Sequence, residues 1–239
     1  MTKSNRVVYN MKIVAMGGGR FDDGEVKPLI EKIVSMARCE KPKMVYLPTA
    51  GFDDMSDVKP IYDMFESFGC TVSALLLTDE TLTDAEIENT ILGADIVFVG
   101  GGNLQFLMDT WKRRRVDVYL TKAAQNGTVL CGTSSGAMCW NKMGWDDCGE
   151  DRAYVFIECM GLLPYCFCPH YENGHWSNFG NYVSATGLDG VAADDGAALV
   201  YDNGAYSVVN GNDEGEVYYF SKEAGYARVK LSEDASELH

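Results

Sequence analysis

The residues best suited to chemistry lie in Gly132-Thr-Ser-Ser-Gly136, which fits G-x-S-x-G. A short apolar run, Val129-Leu-Cys131, precedes it, and small and apolar residues, Ala137-Met-Cys-Trp140, follow. That order predicts a strand, a sharp turn and a helix. Glycine on both sides relieves the crowding that a Cβ would cause there. The turn lifts the central side chain out at the top of a sheet and sets it at a helix N-terminus, where developing negative charge is favoured. Ser134 is therefore the candidate nucleophile, and the backbone N–H of Ser135 is a candidate oxyanion donor. The competing reading is a loop of five small residues with no chemistry; the flanking strand and helix favour the elbow.

A serine is a poor nucleophile until a base takes its proton. The chain has three histidines, His170, His175 and the terminal His239. His170 follows Pro169 at the end of the strand-like Cys166-Phe-Cys168, where α/β sheets place active groups. His175 falls in a polar, glycine-containing turn, so position favours His170. A second glycine cluster, Gly100-Gly-Gly-Asn103, follows another apolar strand, and its N–H groups can converge into an anion-binding nest. Enzymes with G-x-S-x-G take their second oxyanion donor from such a loop elsewhere in the sheet. Gly101 is the candidate donor, with Gly102 and Asn103 on the substrate side. The acid that would orient the histidine is not fixed by the residues. Asp146, Asp147 and Glu150 lie between nucleophile and base, and Glu172 and Asp195 are rivals.

The elements that must position these groups follow from hydrophobic period. Apolar strands are predicted at Met11–Met16, Met44–Leu47, Val72–Leu77, Ala94–Val99 and Val129–Cys131. Helices are predicted at Glu25–Arg38, Val58–Phe68, from the Thr83 to Glu86 capping box to Gly93, Leu104–Trp111 and Val116–Gln125. Gly17-Gly-Gly19 ends the first strand as a glycine turn; Asp22 stands where a dinucleotide fingerprint needs glycine. Alternating strands and helices mean a parallel sheet covered on both faces. Beyond the elbow the pattern loosens. Gly144–Glu150 reads as a polar loop and His175–Ser184 as a helix. Ala197–Tyr201, Ala205–Val209 and Glu216–Phe220 read as strands, with a hairpin at Asn203-Gly204. The tail is thus a small antiparallel extension of a single domain spanning residues 1–239.

Composition narrows the function. The chain of 239 residues is 46% hydrophobic, enough for one large α/β domain. Its net charge is -15, and the one basic cluster, Lys112-Arg-Arg-Arg115, follows a helical stretch, so nucleic acid is not an expected partner. No apolar run reaches the ~20 residues of a membrane span, and no signal peptide is read at Met1. Eight scattered cysteines fit reduced thiols in a cytoplasm better than a disulfide framework. Cys166, Cys168, His170 and His175 could ligate zinc, but Cys-x-Cys on a strand puts both thiols on one face, where buried cysteines pack. No metal or other cofactor is expected.

In order and spacing, Gly100-Gly-Gly-Asn103, Gly132-Thr-Ser-Ser-Gly-Ala137 and Cys168-Pro-His-Tyr171 resemble the peptidase E family, the serine peptidases that include aspartyl dipeptidase and cyanophycinase. The resemblance covers nearly the whole chain. It implies a three-layer α/β sandwich with a mostly parallel central sheet, like class I glutamine amidotransferases and flavodoxin. It also implies hydrolysis of small peptides by a Ser-His-acid triad, with Ser134 as nucleophile, His170 as base, and Gly101 with Ser135 as the oxyanion hole. The acid of aspartyl dipeptidase falls nearest Asp147, allowing a short gap, and a second family acid falls at Asp195 on the substrate side. Asp147 is the expected orienter. Two departures stand out. The family usually has alanine where this chain has Ser135, whose hydroxyl must find a partner. The family's arginine for an acidic substrate side chain has no counterpart in residues 171–182, where Arg and Lys are absent. A pocket for a carboxylate needs a cation, so specificity for N-terminal Asp is not required; Arg20 or Arg152 could substitute. An amidase or esterase of the same fold, or a non-catalytic binding member, is the alternative, and a homodimer is an open possibility.

Overall fold

The computed structural model describes residues 11–211 and 215–238; the lead-in before Met11 and the terminal His239 lie outside them. Through the elbow, strands and helices alternate as the hydrophobic period predicts. The strands are β1 (Lys12–Met16), β2 (Lys43–Leu47), β3 (Thr71–Ala74), β4 (Ile96–Val99) and β5 (Val129–Thr133). The helices are α1 (Lys27–Met36), α2 (Lys59–Ser67), α3 (Asp84–Leu92), α4 (Leu104–Arg113), α5 (Val116–Gln125) and the short elbow helix α6 (Ser135–Met138). α1 buries Leu29, Ile30, Ile33 and Met36, residues at helical spacing. α3 opens with the expected capping box. Glu86 N donates to the Thr83 hydroxyl and Thr83 N donates to the Glu86 carboxylate, an arrangement worth about 1 kcal/mol.

The five strands pair in parallel in the order β1-β5-β4-β2-β3. β10 (Ala197–Asp202) and β11 (Ala205–Asn210) then add antiparallel to the β1 edge, completing seven strands. The Asn203-Gly204 hairpin joins them with both residues at positive φ, 52° and 101°, as a tight two-residue turn requires. β1 is therefore an inner strand. Its alternate residues face two cores: Val14 and Met16 pack under α1 and α2, whereas Ile13 and Ala15 pack under α3 to α6.

The second half departs from expectation. A six-stranded sheet follows the elbow, in the order β13-β12-β9-β8-β6-β7. Its members are β6 (Asn141–Asp146), β7 (Val155–Glu158), β8 (Leu163–Cys168), β9 (Gly190–Ala193), β12 (Val217–Phe220) and β13 (Arg228–Lys230). The stretch expected as a loop from Gly144 thus begins inside β6. Its glycine is a packing requirement, because a Cβ there would lie 2.5 Å from Leu104 Cδ2 and 2.8 Å from Met138 Cβ. The helix expected over 175–184 is broken into tight turns, with α7 limited to Phe179–Tyr182. The tail is antiparallel, as expected, and its strands divide between the sheets: β10 and β11 extend the first, and β12 and β13 join the second. One core cluster runs across both sheets, joining Ile13 and Leu199 to Phe167, Val191 and Val217. No helix among the described residues is long and apolar enough to cross a membrane.

Candidate active site

The site is built on the carboxyl end of β1. There the backbone holds three incoming segments at successive residues. Ser134 N donates to Met16 O at 3.3 Å, and His170 N donates to Gly17 O at 3.2 Å. Gly18 bridges Asp195 in parallel, with Gly196 N donating to Gly18 O at 3.2 Å. The glycine turn read at the end of the first strand is therefore the point where serine, histidine and acid meet. A Cβ on Gly18 would sit 1.9 Å from Asp195 Oδ1 and 2.4 Å from the His170 ring, so only glycine leaves room for that pair.

Ser134 stands between β5 and α6 with φ 58° and ψ -123°. A positive φ is costly for a residue with a Cβ and persists only where its surroundings enforce it. Gly132 and Gly136 enforce it here. A Cβ at Gly132 would lie 2.4 Å from Gly136 O, and one at Gly136 would lie 2.1 Å from Val99 O. Both glycines of the motif are thus close-approach residues, and the serine takes the strained turn between them. His170, directly after β8 and Pro169, is also left-handed, at φ 51°.

His170 Nδ1 lies 2.5 Å from Asp195 Oδ1. The other carboxylate oxygen, Oδ2, accepts from Asn173 Nδ2 at 2.7 Å. The hydrogen bond from His170 is the largest cause holding the Asp195 carboxyl below its usual range, against burial, with Asn173 assisting. The expected orienter, Asp147, is not at the histidine. Its Oδ2 lies 2.5 Å from Arg152 Nη2 in an exposed ion pair. The acid beside His170 comes instead from the crossover between β9 and β10, which carries the chain from the second sheet back to the first. Of the other rivals, Glu172 pairs with Arg228, Glu150 sits in an exposed turn, and Asp146 is buried behind the elbow. His175 is exposed. Sequence reasoning missed Asn173 and Gly18, and it missed Asp194, which accepts from Glu172 N and Glu216 N and so pins the backbone on either side. Burial pushes the Asp194 carboxyl up to about 6, the opposite direction to its neighbour.

The glycine loop after β4 lies against the serine. A Cβ on Gly101 would be 3.0 Å from Ser134 Cβ and 3.3 Å from Ser134 Oγ. Gly102 has φ 142° and packs onto Ala50, whose carbonyl oxygen would meet a Cβ at 2.2 Å. Asn103 caps α4, its Oδ1 accepting from Phe106 N at 2.8 Å. Ser135 is fully buried, and its hydroxyl donates to Gly102 O at 2.7 Å. Beside this loop opens a cavity of about 470 Å³ whose lining includes Phe52, Gly102, Asn103, Asp147, Cys148 and Arg152. Arg20 is held by Asp23 and Glu25. Cys166 and Cys168 are completely buried in the second sheet's core, and no cluster suited to hold a metal occurs among the described residues.

A two-sheet α/β fold with a strained serine turn after a parallel strand, a glycine loop beside it and an aspartate-bonded histidine is the frame of a serine hydrolase. Residues 13–209 match peptidase family S51, and the chain belongs to that family of serine peptidases. It is 34% identical over 196 residues to the uncharacterized peptidase YgaJ of Bacillus subtilis (strain 168), covering 80% of this chain and 84% of the relative. It is also similar to the uncharacterized peptidase Lin0382 of Listeria innocua serovar 6a (strain ATCC BAA-680 / CLIP 11262), at 26% identity over 113 residues, 45% of this chain and 53% of the relative. Among solved structures it resembles a peptidase from an acI-B1 Actinobacterium. The TM-score is 0.64 and the identity 19%, with 94% of this chain and 96% of the other covered.

Proposed function

We propose that this peptidase hydrolyses small peptides with Ser134 as nucleophile, His170 as general base and Asp195 as the acid that orients it. The observation that carries the reading is the 2.5 Å contact between His170 Nδ1 and Asp195 Oδ1, anchored to the same strand end as the strained Ser134. An ionised Asp195 only accepts, so the imidazole proton sits on Nδ1 and Nε2 is left with a lone pair. Nε2 takes the Ser134 proton as Oγ attacks the peptide carbonyl. The N–H groups of Gly101 and Ser135 receive the oxyanion. The imidazolium, stabilised by Asp195, then protonates the leaving amine. A water molecule repeats the sequence on the acyl-enzyme and regenerates Ser134.

The cavity beside Gly102 suits the residue on the acyl side of the bond. Its cation, Arg152, is already paired with Asp147, so a substrate carboxylate would have to displace that partner. Phe52 is 60% exposed at the same cavity. Neutral and aromatic N-terminal residues are therefore expected substrates alongside acidic ones. A dipeptide panel with acidic, neutral and aromatic N-terminal residues tests this. Ser134→Ala is expected to lower turnover by about 10⁶, the scale of nucleophile loss in triad enzymes. Unchanged turnover in a contaminant-free variant would overturn the reading. Cleavage confined to Asp-X would show that Arg152 leaves Asp147 for the substrate, and cleavage of esters alone would make the chain an esterase of the same fold.

A further inference from the structure

Ser135 would serve the oxyanion through its N–H, which leaves its hydroxyl without a task there. That hydroxyl is fully buried and has two oxygen neighbours, Gly102 O at 2.7 Å and Asp146 Oδ2 at 3.3 Å. A hydroxyl has one proton to give, and a carbonyl only accepts. The shorter contact therefore takes the proton to Gly102. Asp146 Oδ2 then faces a lone pair of Ser135 Oγ. An ionised carboxylate in that place would set acceptor against acceptor. Asp146 is also 1% exposed, and apart from Ser135 its carboxyl meets, among the described residues, only the thiol and the backbone N–H of Cys148. Such a setting is very costly for a charge and tolerable for a neutral acid.

From this geometry we infer that Asp146 is a protonated carboxylic acid that donates to Ser135 Oγ, and that the chain Asp146–Ser135–Gly102 is a positioning device for the oxyanion loop. Gly102 is one residue past Gly101, the proposed donor. Its backbone already rests on Ala50 on one side; the Ser135 hydroxyl grips it on the other. The same residue thus offers one oxyanion N–H and fixes the loop that offers the second. Asp146 holds the hydroxyl in the rotamer that does so, and its own place is fixed by β6. The carboxyl's direction of titration is upward: burial, the largest cause, raises it and Asp147 adds to this, against the lowering by the Cys148 thiol, the Ser135 hydroxyl and the Cys148 backbone N–H.

The consequence for rate rests on the peptidase reading above; the protonation state does not. Ser135→Ala keeps the N–H and removes the grip. It is expected to lower kcat by roughly 10-fold to 10²-fold, the scale of a small misplacement of catalytic groups, with KM changed far less. Asp146→Ala is expected to match it, and the double variant to be no worse than either single one. Asp146→Asn is neutral and keeps a donor, so it is expected to retain kcat. Infrared spectroscopy reads the acid without any substrate: a carboxylic-acid C=O band at neutral pH that disappears in Asp146→Asn.

Linkage gives a second substrate-free readout. A carboxyl raised on folding contributes stability below its unfolded pKa of about 3.9 and loses it as pH rises through the folded value. Asp146→Asn lacks that loss, so its Tm should gain on the wild type as pH rises. Asp147, Cys148, Tyr154 and Cys159 are the titratable groups that feel Asp146, and all four remain in both proteins. Absence of the band, or an Asp146→Asn as impaired as Asp146→Ala, overturns the neutral acid. An unimpaired Ser135→Ala overturns the positioning role. Inactivity of the wild type towards every peptide would refute the peptidase reading alone, and the band and the Tm gap would still decide the network.

Discussion

The two sheets meet the site in different ways. The seven-stranded sheet supplies the proposed nucleophile from within a local motif: β5, the turn and α6 are consecutive, and the strain at Ser134 is set by glycines two residues away on either side. The six-stranded sheet supplies His170 from the end of β8, and the acid arrives only where the chain crosses from β9 back to β10. The histidine and acid owe their meeting to the end of β1, more than 150 residues earlier in the chain, rather than to each other's sequence neighbourhood. The geometry of Ser134 is thus a short-range property of this chain and that of the His170–Asp195 pair a long-range one. The proposed triad is a joint between layers, and a change at the joint should damage chemistry more than a change in either sheet.

The sharpest test of that contrast sets two carboxylates against each other. Asp195→Asn removes the acceptor that holds the His170 tautomer and is expected to lower kcat by about 10⁴, as loss of the orienting acid does in serine proteases. Asp147→Asn breaks an exposed ion pair and is expected to change kcat by less than about fivefold. Comparable losses in the two variants would return the orienting role to Asp147. A smaller effect is expected at the joint itself. Gly18→Ala forces a Cβ onto the Asp195 carboxylate and the His170 ring, and displacement of the pair should cost about 10² in kcat. Ser134 would keep its own backbone strain there, so reaction with a small acylating reagent compared with peptide turnover separates damage to the pair from damage to the elbow. Full activity of Gly18→Ala would show that the pair tolerates the displacement and that β1 does not set it.

What the sequence makes legible follows the same division. The parallel half of the fold is readable because its strands are continuous apolar runs and its helices carry single stripes, as in β4 and α1. The elbow is readable because its glycines and serine are adjacent. The second sheet is readable only in part: the strand signals at Cys166–Cys168 and Glu216–Phe220 fall in β8 and β12, whereas no strand is predicted over β6, β7, β9 or β13. Gly144 in β6 and Pro164 in β8 interrupt the strand signal, and the two strands pair with each other in parallel across a register shift that no hydrophobic period announces. Asp195 is named in the sequence only as a rival orienter and a substrate-side residue, for the same reason. Order along the chain favours an acid between Ser134 and His170, whereas the bridge between positions 18 and 195 is made only by the assembled sheets. Asp146 is named only as a candidate orienter, and its burial behind the elbow is not legible because, in a chain with 35 acidic residues, nothing local marks one as buried.

The central claim is that Ser134 is activated by the His170–Asp195 pair. Its most direct test is covalent labelling with a fluorophosphonate, read by intact mass and peptide mapping in the wild type, Ser134→Ala and Asp195→Asn. One adduct on Ser134 in the wild type, none in Ser134→Ala and slow labelling in Asp195→Asn is the predicted result. An adduct on another residue, or labelling of Asp195→Asn at the wild-type rate, would contradict it.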